Sequence, residues 1–182
     1  MNAATIGKQL GKKSGRLITL FALLAVCALP AQAADSADLV QMLADRAEIQ
    51  EVAYRYINAL DTRDADMYLS VFTEDAVYDV EGTLYSGHEA LKGIITGLQK
   101  SRDTAIADGK PVVDLYHTNI NPVIDMISAT EAHYGAYWQT LRKADDNSMR
   151  IGGMGRIEDV LVKTDGVWRI KKRVLTNFVP RR

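Results

Sequence analysis

Three side chains in this 182-residue chain, Tyr56, Asp61 and His117, are of types that together can move a proton without a cofactor. An imidazole is the natural base near neutrality, a carboxylate can orient and charge it, and a phenol can donate to a developing oxyanion. Around residues 113–119 a period of two puts Val113, Leu115, His117 and Asn119 on one strand face and Asp114, Tyr116 and Thr118 on the other. His117 thus shares the more apolar parity and is expected to look inward, either as a satisfied core histidine or as a base. Asp61 falls where a long helical pattern ends, at the negative pole of the helix dipole, where a carboxylate is unfavourable unless it has a partner. It has a second reading, an Asx-turn opening the Thr62-Arg63 loop. Tyr56 lies on the apolar stripe of that helix, five residues before Asp61, and reads either as packing or as an oxygen donor.

Other constellations are weaker. His133 and Glu131 share a strand face without a third ligand at useful spacing, so no metal site is expected. Gly152-Gly153-Met154-Gly155 has neither a following helix nor a P-loop lysine, which argues against a phosphate cradle. Tyr134, Trp138 and Trp168 read as core and sheet aromatics, with Tyr134 and Trp138 as candidates to line a cavity and contact substrate.

The elements that would position these groups follow from periodicity. Leu39, Met42, Leu43, Ile49, Val52, Ala53, Tyr56, Ile57 and Leu60 recur at mostly three- and four-residue steps, which predicts a helix from an N-cap at Ser36 to about Leu60. Asp64 is placed to cap a short second helix through Phe72, and a third is expected from Glu89 to about Gln99. Between them, 76–80 and 83–85 read as a hairpin turning at Glu81-Gly82. Four long antiparallel strands are expected at about 112–127, 131–143, 149–163 and 167–179, with Pro122 at an edge or bulge and a sharp bend at the 152–155 glycines. Helices first and meandering strands afterwards describe an α+β domain.

The start of the chain has a different character. Lys8, Lys12, Lys13 and Arg16 precede an apolar run, 17–29, and the small-residue site Ala31-Gln32-Ala33. This pattern is that of a secretory signal over 1–33, cut before Ala34, with one domain over 34–182 and a periplasmic or secreted location. The run is shorter than the roughly 20 residues of a membrane helix, so no membrane association is expected after cleavage. Removing the four cations leaves 18 Lys+Arg against 23 Asp+Glu, an acidic balance that argues against a nucleic-acid partner. The one cysteine, Cys27, lies in the leader, leaving no disulfide and no thiol nucleophile.

The stretches Tyr54-Arg55-Tyr56-Ile57-Asn58-Ala59-Leu60-Asp61, Tyr116-His117-Thr118-Asn119, Gly155-Arg156-Ile157-Glu158-Asp159 and Gly166-Val167-Trp168-Arg169, in this order, resemble the SnoaL-like branch of the NTF2-like superfamily over 36–179. The resemblance implies a cone-shaped, curved antiparallel sheet enclosing a pocket with three helices from the N-terminal half. It also implies assembly as a homodimer or homotrimer through the outer sheet face. Tyr56, Asp61 and His117 look like the Tyr, Asp and His of cofactor-independent dehydratases of the bile-acid and scytalone type, with no cofactor. A small, apolar carbonyl compound, steroid- or polyketide-like, would be the ligand. Arg173 matches an arginine often present in the last strand of this branch, but its parity with Arg169 and Lys171 points it outward unless a bulge intervenes. No second carboxylate is evident at the polar end of the pocket. The superfamily also holds noncatalytic members, so a ligand-binding or oligomerisation module is the rival expectation.

Overall fold

The computed structural model describes residues 29–112, 115–144 and 146–178, with side chains from Ser36 onward. Most of the expected leader, residues 1–28, lies outside the described residues. The chain divides into two units, Met1–Gln41 and Met42–Arg182. In the first, the described residues are helical, and residues 36–41 are exposed.

Helix α1, Leu29–Thr62, begins well before Ser36, which is therefore an interior position and not a cap. Its stripe is buried only in the second half, where Ile49, Val52, Ala53, Tyr56 and Ala59 join the core, while Leu39, Met42 and Leu43 are exposed. Helix α2, Ala65–Ser70, is capped by Asp64, whose Oδ1 accepts the Met67 N–H at 2.9 Å. Helix α3 runs from Gly87 to Ala107, a longer span than its apolar positions marked out.

The strands are β1 Phe72–Val80, β2 Thr83–Ser86, β3 Leu115–Met126, β4 Glu131–Lys143, β5 Met149–Thr164 and β6 Val167–Asn177. They form one six-stranded sheet in the order β2-β1-β6-β5-β4-β3. Two of its hairpins turn on residue pairs with positive φ, Glu81-Gly82 and Asp165-Gly166, the conformation that matches the twist of adjoining strands. The β1–β6 pairing is parallel, joining the first strand of the sheet to the last. Nothing in local periodicity announces that pairing, because its partners are distant in sequence.

Besides an irregularity between Phe72 and Val77 on β1, three bulges shape the sheet. One lies between Ile120 and Val123, so Pro122 stands at an irregularity on the edge strand β3, as its missing donor requires. A second skips Gly152 between the Thr140 and Leu141 pairings. The third skips Lys171, with Val160 paired to Lys172 and Leu161 to Ile170. At Gly155 a Cβ would run into the Thr176 carbonyl and the Trp138 indole, so the close approach of β4, β5 and β6 demands glycine there.

Helix α1 is held to the sheet by polar as well as apolar contacts. Asp45 is buried, and its Oδ1 accepts from Lys163 Nζ at 2.5 Å and from Trp168 Nε1 at 3.0 Å. Arg46, which interrupts the apolar stripe, donates from Nη1 to the Ile124 carbonyl at 2.9 Å. These bonds fix the rotation of α1 and thereby the direction of Tyr56 and Asp61.

Candidate active site

A cavity of about 780 Å³ lies between the helices and the sheet of the second unit. That is within the range of small-molecule sites, and apolar side chains such as Ile57, Leu60, Ile94, Leu115, Met154 and Leu175 make up much of its wall.

The last turn of α1 and the start of β3 meet beside it. His117 Nδ1 lies 2.6 Å from Asp61 Oδ1, and the His117 backbone N–H donates to both carboxylate oxygens at 3.2 and 3.3 Å. The carboxylate therefore fixes both the ring and its strand, and it selects the tautomer with the proton on Nδ1. Nε2 has no protein partner among the described residues, and His117 lines the cavity whereas Asp61 stands behind it. Each side chain is about a quarter exposed, 25% for His117 and 23% for Asp61, so the pair is reached by solvent or ligand without being dissolved in it. The arrangement can hold a proton acceptor at Nε2 and stabilise the imidazolium that results.

Tyr56 is buried at the deep end among aromatic rings. Its hydroxyl is 3.3 Å from that of Tyr78, and its ring lies 5.5 Å from Tyr68 and 5.9 Å from Phe72. All three tyrosines line the cavity, and the fully buried Tyr68 hydroxyl has no hydrogen-bond partner among the described residues. Burial pushes the Tyr68 and Tyr78 phenols well above the ordinary phenol range, so both stay protonated and available as donors. Tyr56 and the His117–Asp61 pair thus face one cavity at different depths.

Arg173 is not outward. The bulge at Lys171 shifts the alternation of β6 by one residue, and the guanidinium is completely buried, 3.6 Å over the Tyr56 ring. It forms a bidentate pair with Asp159, 2.7 Å from Nε and 2.6 Å from Nη2, while Nη1 has no partner among the described residues. Asp159 is a buried carboxylate that the motif reading did not single out, and it is not part of the cavity wall. It falls on the same parity as the buried Ile157 and Leu161, a signal that could have exposed it. Burial opposes a charged Arg173, but Asp159 outweighs it and holds the guanidinium protonated. Neither Arg173 nor Tyr134 reaches the cavity wall, and the Tyr134 hydroxyl accepts from Asn119 Nδ2 at 3.2 Å. Trp138 does line the cavity, with its indole N–H donated to the Thr176 carbonyl at 3.2 Å. Asn119 and Thr140 also line the wall beside His117, Asn119 from the strand parity that put His117 inward.

His133 is exposed and lies 3.8 Å from the half-buried Glu131, and among the described residues no group of three or more His, Cys, Asp or Glu could hold a metal ion. No described helix is long and apolar enough to cross a membrane.

Residues 41–174 match the SnoaL-like domain family. The chain is 30% identical over 141 residues to the terrestric acid biosynthesis cluster protein E of Penicillium crustosum, covering 73% of this chain and 83% of that one. Among solved structures, an NTF2-like protein with a cystatin-like fold from Novosphingobium aromaticivorans superposes with a TM-score of 0.66 at 21% identity, over 80% of this chain and 89% of that one. A candidate scytalone dehydratase from the same organism gives a TM-score of 0.61 at 23% identity, over 76% and 87%. These two likenesses establish the NTF2-like α+β fold, with a curved open sheet and its helices in the N-terminal half.

Proposed function

The chain belongs to the SnoaL-like family, and on that premise we propose that it is a cofactor-independent lyase or isomerase acting on a small, largely apolar carbonyl compound of polyketide or steroid type. One observation carries the reading: an imidazole held by a carboxylate at 2.6 Å, with its other nitrogen turned to a largely apolar cavity.

In this mechanism, His117 Nε2 takes a proton from the carbon alpha to the carbonyl. The C–H electron pair becomes the enolate C=C bond, and charge moves to the carbonyl oxygen. Asp61 stabilises the imidazolium, and a tyrosine hydroxyl donates to the oxyanion. For a β-hydroxy carbonyl compound the enolate collapses, the C–O bond breaks, and hydroxide leaves as water with the proton from His117. The products are an enone and one water. For an isomerase, the same proton returns to the γ-carbon instead. The scytalone dehydratase likeness and the biosynthetic-cluster relative both support a small-molecule substrate of this kind.

We further propose export, on the basic start and apolar run of residues 1–33, which mass spectrometry of the purified protein's N-terminus tests. Assembly through the outer sheet face is proposed on the exposed Val123 and Tyr137, and light scattering tests it.

The catalytic test is exchange of α-deuterium in a panel of hydroxy-ketones, followed by NMR. The wild type is expected to exchange at least one member, and His117→Gln and Asp61→Asn to lose about 10²–10⁴-fold in rate while keeping their circular dichroism. Exchange that survives both substitutions overturns the assignment.

A further inference from the structure

The charge on the cavity wall runs against the charge of the chain. The sequence carries 23 Asp+Glu against 22 Lys+Arg, yet among the described residues no carboxylate lines the cavity, and the permanently charged side chains that do are Arg63 and Arg142. They come from different layers. Arg63 occupies the turn after α1 with φ of 60°, its carbonyl tied to α3 by Gln99 Nε2 at 2.6 Å. Arg142 is on β4, whose inner parity runs Tyr134, Ala136, Trp138, Thr140, Arg142 from buried to exposed. Thr140 is the register partner of His117, and Arg142 pairs with Leu115, so Arg142 stands one inward-facing row nearer the open end than the base. Same-face residues two apart along a strand are separated by roughly 7 Å.

The Arg142 guanidinium makes no hydrogen bond or ion pair among the described residues. The neighbouring Arg150, by contrast, is engaged by Asp146 at 2.8 Å within its own turn. A planar cation with five donors, beside an apolar hollow and unopposed by any carboxylate of the described wall, matches a carboxylate both in charge and in bidentate geometry. The field of such a wall draws anions into an otherwise acidic protein.

We propose that the substrate is an apolar carboxylic acid whose carboxylate is bound at the rim by Arg142. The reacting carbon lies about one strand row, roughly 7 Å, deeper, at His117. The spacing rests on the catalytic reading above, whereas the anion subsite can be measured without turnover.

The probe is N-phenyl-1-naphthylamine, an uncharged fluorophore, displaced from the full-length protein by naphthalene-2-acetic acid or by its near-isosteric amide. At low salt the acid is expected to displace it at about tenfold lower concentration than the amide, a preference that shrinks as ionic strength rises. Arg142→Gln is expected to bring the acid-to-amide ratio to about one, and Arg142→Lys to restore part of the preference without bidentate contact. His117→Gln should keep the preference. Equal displacement by acid and amide in the wild type, or a preference untouched by Arg142→Gln, overturns the subsite. If the preference holds and depends on Arg142 while no keto acid or hydroxy-ketone exchanges deuterium, the anion subsite stands and the catalytic reading falls.

Discussion

Two of the acid–cation pairs in this molecule are built in opposite ways. Asp159–Arg173 is sealed, with side chains 2% and 0% exposed, joined through two short hydrogen bonds and capped by an aromatic ring. Asp61–His117 is a quarter exposed, joined through one ring nitrogen, with the other left toward the cavity. A guanidinium never gives up its proton under working conditions, so the first pair cannot relay one. It braces β5 against β6 beneath the tyrosines. The second pair keeps an accessible ring nitrogen that can take up and return a proton. Burial, more than the presence of an acid beside a base, separates brace from tool.

The sharpest way to break this contrast is to remove one carboxylate at a time and read both activity and stability. Asp61→Asn keeps an oxygen for the His117 backbone N–H but loses the charge that stabilises an imidazolium. Its kcat/KM is expected to fall about 10²–10⁴-fold, with little change in the urea midpoint. Asp159→Ala strands a buried guanidinium and is expected to cost about 3–5 kcal/mol in urea unfolding, which the companion change Arg173→Met should largely recover. Equal stability losses at Asp61 and Asp159 would erase the distinction.

Alkaline titration sharpens it further. The native state holds the Tyr68 and Tyr78 phenols protonated well above their ordinary value, while the unfolded chain releases these protons above about pH 10. The native form therefore binds more protons than the unfolded one, and stability falls as pH rises past that point. Lys163, raised by its hydrogen bond to Asp45, acts in the same direction, since its native ion pair is lost as pH climbs through the folded value. Tyr78→Phe should flatten the alkaline limb of the unfolding midpoint. The smallest effect is expected at Tyr68→Phe. Its hydroxyl has no partner among the described residues, so deletion should leave stability unchanged or raise it by up to about 1 kcal/mol, measured by the same unfolding curves.

Much of the positioning was written locally. Alternation turned His117 and Asn119 inward, the three- and four-residue stripe brought Tyr56 to the core, and the Glu81-Gly82 and Asp165-Gly166 pairs marked hairpins that closed as expected. Arg173 escaped that logic because a single extra residue, Lys171, reverses every later parity on β6. Asp159 escaped because a carboxylate on an apolar parity looks like an error until its buried cation is known. The exposed Leu39, Met42 and Leu43 show the reverse failing: a stripe continues past the point where anything covers it.

The parallel joint between β1 and β6 has a consequence for how the protein is made. Because the C-terminal strand sits between β1 and β5, the hairpin at the start of the sheet has no edge to dock on until translation has passed Asn177. A nascent chain can zip β3, β4 and β5 together early, yet it owns no binding chamber until its final strand arrives. A product ending before Val167 lacks the strand that joins β1 to β5.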